Sequence, residues 1–346
     1  MAEDYSFILD GFTWSFSRIN SFADGCRREW KKHYIDCEEG ISGFDAEVGK
    51  IVHETLEAYF KGEMTEWDLA PYVEEHYAEQ VTFPCPYPNG DTKYDKVMNY
   101  FENFSFDSNK YEILGVEKKI EIKLKDKYPL VGFIDLLLRD KETGAIILQD
   151  HKTSNIKVLK NGNISKSDQE HFLAFKRQQY LYSKAIFEEY GRVDILQWNM
   201  IQTGDMIKID WSEEEMNEVI DWAYNSIEEI NKETEYPAKP EFYYCVNLCS
   251  ARGEYCPYRK LDSIYKVIYS NCFNPKVEGY ETTGGCGVTM AETWVSDKYN
   301  FFKWALDNGY EEGGILNRFD IFGDYCPENC YWSWEVNENY ASDWLD

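Results

Sequence analysis

Two apolar stretches joined by a short turn, over residues 130–153, constrain this chain more than any other feature. Their composition predicts two core strands. Charges interrupt both strands: Asp135 falls inside the first, and Asp150 and Lys152 end the second. Asp150 and Lys152 share a face because strand side chains alternate in direction. A buried carboxylate is costly unless it is paired or binds a metal. The pattern therefore indicates a functional site, with a surface hairpin carrying ordinary charges as the alternative.

Predicted helices on either side of this hairpin each present a pair of polar or small residues. Upstream, apolar residues recur at helical spacing, and Gly49 and His53 lie four apart on one face. Downstream, Gln178 and Tyr182 are also four apart and share a face. Both pairs have ordinary interpretations, since a lone histidine is usually structural and an amphipathic helix often buries a tyrosine.

Ten cysteines, in a chain with no sign of secretion, suggest a metal or cluster more than disulfides. Cys245, Cys249 and Cys256 lie within twelve residues, and Cys26 lies far upstream on a predicted helix over residues 12–36. Three thiolates and a distant fourth complete a four-sulfur shell, which both zinc and iron–sulfur clusters accept. The three close cysteines alone would favour zinc, and Cys26 alone would be read as a buried thiol.

The order of these motifs resembles that of RecB-like nucleases in the PD-(D/E)XK superfamily, among them CRISPR-associated RecB-like exonucleases and related phage enzymes. The resemblance covers about residues 12–260. It implies an α/β (mixed α+β) fold in which a mixed sheet is flanked by helices. It rests on Cys26, Gly49-x3-His53, Gly132-x2-Asp135, Asp150-His151-Lys152 and Gln178-x3-Tyr182, closed by the three later cysteines.

The resemblance also implies a catalytic centre. His53, Asp135, Asp150 and the backbone carbonyl of His151 would bind one or two Mg²⁺ or Mn²⁺ ions, and the imidazole favours Mn²⁺. The metal would polarise the scissile phosphate and activate a water. Lys152 would orient that water or stabilise the charge that develops on the phosphate.

Further roles come from the same resemblance. Gln178 and Tyr182 would position the catalytic lysine or the DNA strand. A [4Fe–4S] cluster, with Zn²⁺ as the alternative, would be held by four residues: Cys26, Cys245, Cys249 and Cys256.

A strand is also predicted just before the hairpin, over residues 111–127, where apolar residues alternate. Glu117 and Glu121 fall on this strand. Either carboxylate is near enough in sequence to approach the hairpin, but we interpret both as exposed strand charges.

The last segment, residues 261–346, differs from the rest and is predicted to form a separate module after a nuclease domain of residues 1–260. It resembles an HNH-related module of phage proteins in which basic residues have been replaced, for example by Cys286 and Tyr331. It holds 5 Lys/Arg against 15 Asp/Glu. This balance predicts a surface that contacts a protein rather than DNA.

The net charge of −27 argues against broad coating of DNA, because phosphate binding is largely electrostatic. It leaves room for a local basic groove or a metal-filled site. No apolar run approaches the roughly 18 residues of a membrane span, and the acidic start lacks the basic residues of a signal peptide. We therefore expect a cytoplasmic protein without membrane contact.

These features together predict a metal-dependent DNA nuclease, an exonuclease acting on single-stranded ends in CRISPR adaptation, recombination or phage DNA processing. The alternative is a non-catalytic adaptor that keeps the nuclease fold for binding. In that case the acidic C-terminal module docks a protein partner.

Overall fold

The computed structural model describes residues 5–86, 92–160, 163–241, 244–245, 248–251, 256–311 and 313–334. The chain divides into two units, Met1–Pro237 and Ala238–Asp346. This boundary lies before the segment with three cysteines, whereas the sequence analysis places its domain boundary after that segment, between residues 260 and 261. Each unit has its own hydrophobic core.

A five-stranded mixed sheet forms the centre of the first unit, in the order β1-β2-β3-β4-β5. The pair β3–β4 is parallel and the other neighbours are antiparallel. The predicted mixed α/β fold is therefore confirmed. The strands are β1 (Tyr111–Leu124), β2 (Tyr128–Asp140), β3 (Ile146–Lys152), β4 (Ile195–Met200) and β5 (Asp205–Asp210).

Helices cover both faces of this sheet. One core joins the sheet to α2, α3, α7 and α8, and the other joins it to α4, α5 and α6. The helices are α1 (Ser6–Leu9), α2 (Phe16–Ala23), α3 (Arg27–Tyr34), α4 (Phe44–Phe60), α5 (Glu66–Gln80), α6 (Thr92–Glu102), α7 (Gln169–Tyr190) and α8 (Glu213–Ile230). Strand alternation divides the sheet between the cores, since Leu148 packs in the first and Ile147 in the second.

The alternation breaks on β2 at Asp135. Ile134 packs in the first core, but Leu136, two residues later, packs in the second. On β1, the residue between the partners of these two is Glu117, whose φ is +46°. Such a conformation is uncommon for a residue with a side chain and costs conformational energy. The irregularity places two carboxylates opposite each other where the two helical layers meet.

The prediction of a single helix over residues 12–36 is wrong, because this segment forms two helices, α2 and α3. Ser15 caps α2, accepting a hydrogen bond from Arg18 N at 3.3 Å. The break follows at Gly25, where an added Cβ would lie 2.3 Å from the carbonyl oxygen of Ser21. Cys26 is then the extended residue that precedes α3, not a residue in mid-helix.

The second unit has an aromatic core around α9 (Pro257–Phe273), α10 (Glu292–Ser296) and α11 (Lys298–Asp307). A two-stranded hairpin, β6 (Ile315–Arg318) and β7 (Cys330–Ser333), completes it. Buried Asp262 pairs with Lys298 at 2.8 Å and with Lys266 at 2.6 Å. In the described parts of the chain, no helix is both long and apolar enough to span a bilayer.

Candidate active site

His53 on α4 faces Asp135 on β2, and its contact with the carbonyl of His151 fixes the tautomer of a neutral ring. Its Nε2 lies 3.0 Å from the carbonyl oxygen of His151. A carbonyl oxygen only accepts hydrogen bonds, so Nε2 must carry the proton. In a neutral imidazole, Nδ1 then has the lone pair, and it lies 3.5 Å from Oδ2 of Asp135. Nδ1 can therefore accept a hydrogen bond from protonated Asp135 or bind a cation.

The Asp135 carboxylate is buried and constrained by neighbours. Its Oδ2 accepts a hydrogen bond from the backbone N–H of His151 at 2.7 Å. Burial, and then the nearby Asp150 carboxylate, raise the pKa of Asp135 to about 8. Burial therefore favours the protonated form of this carboxyl group.

Glu117 completes the set, and the interpretation of this residue as an exposed strand charge is wrong. Ligand atoms of His53, Glu117 and Asp135 all lie within 4.8 Å of one another. Burial, and then the Asp135 carboxylate, raise the pKa of Glu117 to about 7. The one sequence feature that could have pointed to Glu117 as a ligand is its position on β1, the strand that pairs antiparallel with β2. The left-handed backbone that lies opposite Asp135 could not be read from that pattern.

These three side chains form a candidate acidic metal site. Across the described residues, no other group of three or more His, Cys, Asp or Glu side chains brings its ligand atoms this close. One imidazole nitrogen and two carboxylates suit Mg²⁺ or Mn²⁺, with the nitrogen favouring Mn²⁺. Binding of a metal cation would also displace the protons that burial favours on Glu117 and Asp135.

Asp150 and Lys152 on β3 form a second cluster against α7. Lys152 Nζ lies 2.8 Å from Asp150 Oδ2 and donates to Gln178 Oε1 at 2.9 Å. The ammonium also lies 4.8 Å from the centre of the Phe175 ring. Three groups therefore fix the position of one cation. Asp150 and Lys152 thus share a face of β3, and Gln178 contacts the lysine, while its positioning role stays a prediction.

Tyr182 packs one turn further along α7. It is hydrogen-bonded to Gln178, while burial and the Asp150 carboxylate raise its pKa. The phenol therefore stays neutral. Gly132 on β2 makes room for the ring: a Cβ on this residue would lie 2.5 Å from Tyr182 Cε1. Gly132 and Tyr182, which belong to two separate motifs of the sequence, are therefore in direct contact.

His151 contributes its backbone, because its side chain points away from the carboxylates into the second helical layer. The ring stacks on Phe60, and its Nδ1 accepts a hydrogen bond from Asn199 at 2.9 Å. Asn199 also donates to Tyr100 at 2.6 Å. Burial, and then the neighbouring His53, lower the pKa of His151 well below its usual value. The carbonyl predicted to bind metal accepts from His53 here.

The predicted cluster ligands belong to different units. Cys26 precedes α3 in the first unit, and Cys245, Cys249 and Cys256 belong to the second. All four are half-buried. Within the described residues of the second unit, its three cysteines do not form a close ligand group of the kind seen at His53. The four-cysteine site remains a prediction.

Comparison with known proteins agrees with the geometry. The family model of the PD-(D/E)XK nuclease superfamily matches residues 13–261, so the chain belongs to this superfamily, whose members use divalent metals such as Mg²⁺ or Mn²⁺. No curated protein matches. Fourteen chains of solved structures match. One, described as a candidate exonuclease from Eubacterium rectale, is 12% identical, covers 66% of this chain and 84% of its own, and has a TM-score of 0.39.

Gly132→Ala should damage both stability and the site, because its Cβ overlaps Tyr182. We expect a loss of about 1–3 kcal/mol in the free energy of unfolding, measured by urea titration. Gly49→Ala is the matched control, since its Cβ would lie 3.5 Å from Thr153 Oγ1, an ordinary contact. That variant should be neutral or gain about 0.5–1 kcal/mol from the helix. Equal losses in both variants would contradict the assigned contact.

Metal affinity should rise with pH, because Mn²⁺ must displace protons from Asp135 and Glu117. Between pH 6 and 8 the Kd should fall by up to about tenfold per pH unit for each proton released. Calorimetry in buffers of different ionisation enthalpy counts those protons. Glu117→Gln should weaken binding and remove part of the proton release. Glu121→Gln, an exposed carboxylate on the same strand, should change neither. A pH-independent Kd would refute the site.

Proposed function

We propose that this chain is a divalent-metal-dependent DNA nuclease, acting as an exonuclease on single-stranded ends. The observation that carries the proposal is the pairing of two clusters in one site. His53, Glu117 and Asp135 supply metal ligands, and Asp150 holds a lysine ammonium beside them. A metal and a fixed cation can together offset the negative charge that develops during phosphodiester hydrolysis. CRISPR adaptation, recombination and phage DNA processing all use reactions of this class.

The chain's own groups divide the work. A metal held by His53, Glu117 and Asp135 would polarise the phosphate and lower the pKa of a water. Lys152 Nζ, which Asp150 and Gln178 hold, donates a hydrogen bond to the attacking water or to a phosphate oxygen as negative charge develops. His53 donates through Nε2 to His151, which keeps Nδ1 aimed at Asp135.

Surface charge supports contact with strand ends rather than a long duplex track. The basic cluster at the start of α3 is already neutralised: Arg27 pairs with Glu229 and Glu233, Lys31 with Asp36, and Lys32 with Glu38. Each of these cations must exchange a carboxylate partner before it can bind a phosphate. We therefore place the main substrate contacts close to the metal site.

A second candidate function is the non-catalytic adaptor, which one observation favours. The β6–β7 hairpin of the acidic second unit exposes apolar side chains, with Phe319 at 72% and Phe322 at 80% exposed. The nearby Arg318 is engaged with Tyr325 and with the carbonyl of Gly323. Exposed aromatic groups on an acidic surface suit a protein partner better than DNA.

For the cofactor, we keep a [4Fe–4S] cluster bound by Cys26, Cys245, Cys249 and Cys256, with Zn²⁺ as the alternative. Sulfur ligation by four cysteines satisfies either. The support is the sequence resemblance, together with partial burial of all four thiols, which limits their access to oxidants.

Asp150→Asn and Lys152→Ala should each reduce cleavage of end-labelled single-stranded DNA with Mn²⁺ by at least about a hundredfold, since each removes a charge that acts on the transition state. Asp205→Asn and Lys208→Ala, exposed on β5, provide charge-matched controls and should retain full activity.

Circular single-stranded DNA should resist the enzyme, and chelation should stop cleavage of the linear strand. Equal cleavage by wild type and both site variants would reject the assigned centre. Cutting of the circle would reject the exonuclease assignment. Failure of wild type to cut any DNA, with the partner surface intact, would favour the adaptor.

Cys249→Ser should remove the bound metal from protein purified without oxygen. An iron–sulfur protein would lose its brown colour and its iron and sulfide, whereas a zinc protein would be colourless throughout and lose zinc. Cys286→Ser, at an exposed cysteine of the same unit, should leave metal content unchanged. Wild-type protein with neither metal would overturn the cofactor proposal.

A further inference from the structure

Phe133 on β2 is an aromatic side chain that the fold does not bury. It is 51% exposed, although it lies between buried Gly132 and Ile134 and two residues before Asp135. Ile134 packs in the first core, so Phe133 points to the opposite face of the sheet. That face is covered by α4, which carries His53. Phe133 is therefore on the metal side of the sheet and contributes little to the core.

Lys119 is the partner of Phe133 across the β1–β2 pair. Its side chain is 56% exposed, and Nζ lies 2.6 Å from Glu121 Oε1, a pair in contact with solvent. Such pairs are worth little and exchange easily for another anion. Phe133 and Lys119 lie two residues along their strands from Asp135 and Glu117. Two residues of strand advance about 7 Å, so an aromatic ring and a cation adjoin the metal ligands.

We propose that Phe133 stacks on the nucleobase next to the scissile phosphate, and that Lys119 binds the phosphate of that nucleotide in place of Glu121. This inference rests on the proposed nuclease function and deepens it. Aromatic faces combined with cations are the means by which proteins hold single strands without reading sequence. A base inside a duplex has no free face, so the stacked nucleotide must be unpaired. Stacking also supplies binding without adding charge to an acidic protein.

The competing explanation is that Phe133 supports the strand by packing alone. Shape and apolar character would then suffice, and Phe133→Leu would replace it. Stacking instead requires a flat ring, so Phe133→Trp should retain the function and Phe133→Leu should not. Trp67 on α5 is 88% exposed and offers a matched control, since Trp67→Ala removes a solvent-facing aromatic residue elsewhere.

The experiment uses the full chain with Mn²⁺ and single-stranded oligonucleotides in which one abasic nucleotide is moved stepwise past the cleavage position. In wild type, one position next to the cut should reduce kcat/KM by about tenfold to a hundredfold, the range expected for one lost stack. Phe133→Ala should cut the intact strand slower by a similar factor and show no further loss with the abasic strand. Phe133→Trp and Trp67→Ala should behave as wild type.

Several results would overturn the stacking. One is an abasic penalty of the same size in wild type and Phe133→Ala, and another is no penalty at any position in wild type. A third is full rescue by Phe133→Leu. Thermal unfolding shows whether each variant is folded, and Phe133→Trp keeps the test valid if the alanine variant is not. Absence of cleavage by wild type on every strand would instead contradict the nuclease function, so the two failures are distinguishable.

Discussion

The repulsion between two buried carboxylates, Asp135 and Asp150, is the constraint on which the rest of this site depends. Neither would be stable as an isolated charge among the apolar residues of β2 and β3. The protein offsets the cost differently for each. The ammonium of Lys152 offsets the charge of Asp150, whereas Asp135 lies beside Glu117 and His53 and its burial favours the protonated form. The first carboxylate is thus paired within the protein, and the second belongs to the candidate metal site.

The two helical layers supply the side chains that contact Asp135 and Lys152, and they do so from opposite sides of the sheet. On one side α4 presents His53, and the backbone of His151 holds that imidazole and the Asp135 carboxylate together. On the other side α7 presents Gln178, which accepts a hydrogen bond from Lys152, and Tyr182, which is hydrogen-bonded to Gln178. A break in strand alternation at Asp135 brings the two sides to one place. The position of the centre therefore follows from the layered fold, and the irregularity is part of its construction.

Much of this arrangement could be predicted from residue spacing. Period-two alternation placed Asp150 and Lys152 together, and period-four spacing placed Gln178 beside Tyr182. Glu117 could not be assigned, because its approach depends on a left-handed residue that ordinary strand alternation does not anticipate. The break between α2 and α3 was missed for a local reason, the close approach of Gly25 to Ser21. The sequence shows a run of basic residues in α3, and only tertiary contacts show that acidic residues of α8 and of neighbouring loops pair with them.

The pairing of that basic cluster with carboxylates affects how strongly DNA binding by such an enzyme would depend on salt. Binding to single strands weakens with added salt in proportion to the phosphates that a protein neutralises, with a logarithmic slope of about −0.7 for each. In this protein many arginines and lysines pair with the protein's own carboxylates, which lowers the number of cations that could release counterions from DNA. Its affinity for a single strand would then come mainly from contacts with the metal and with aromatic rings at the site. Binding would depend little on ionic strength, and the cut strand would dissociate readily.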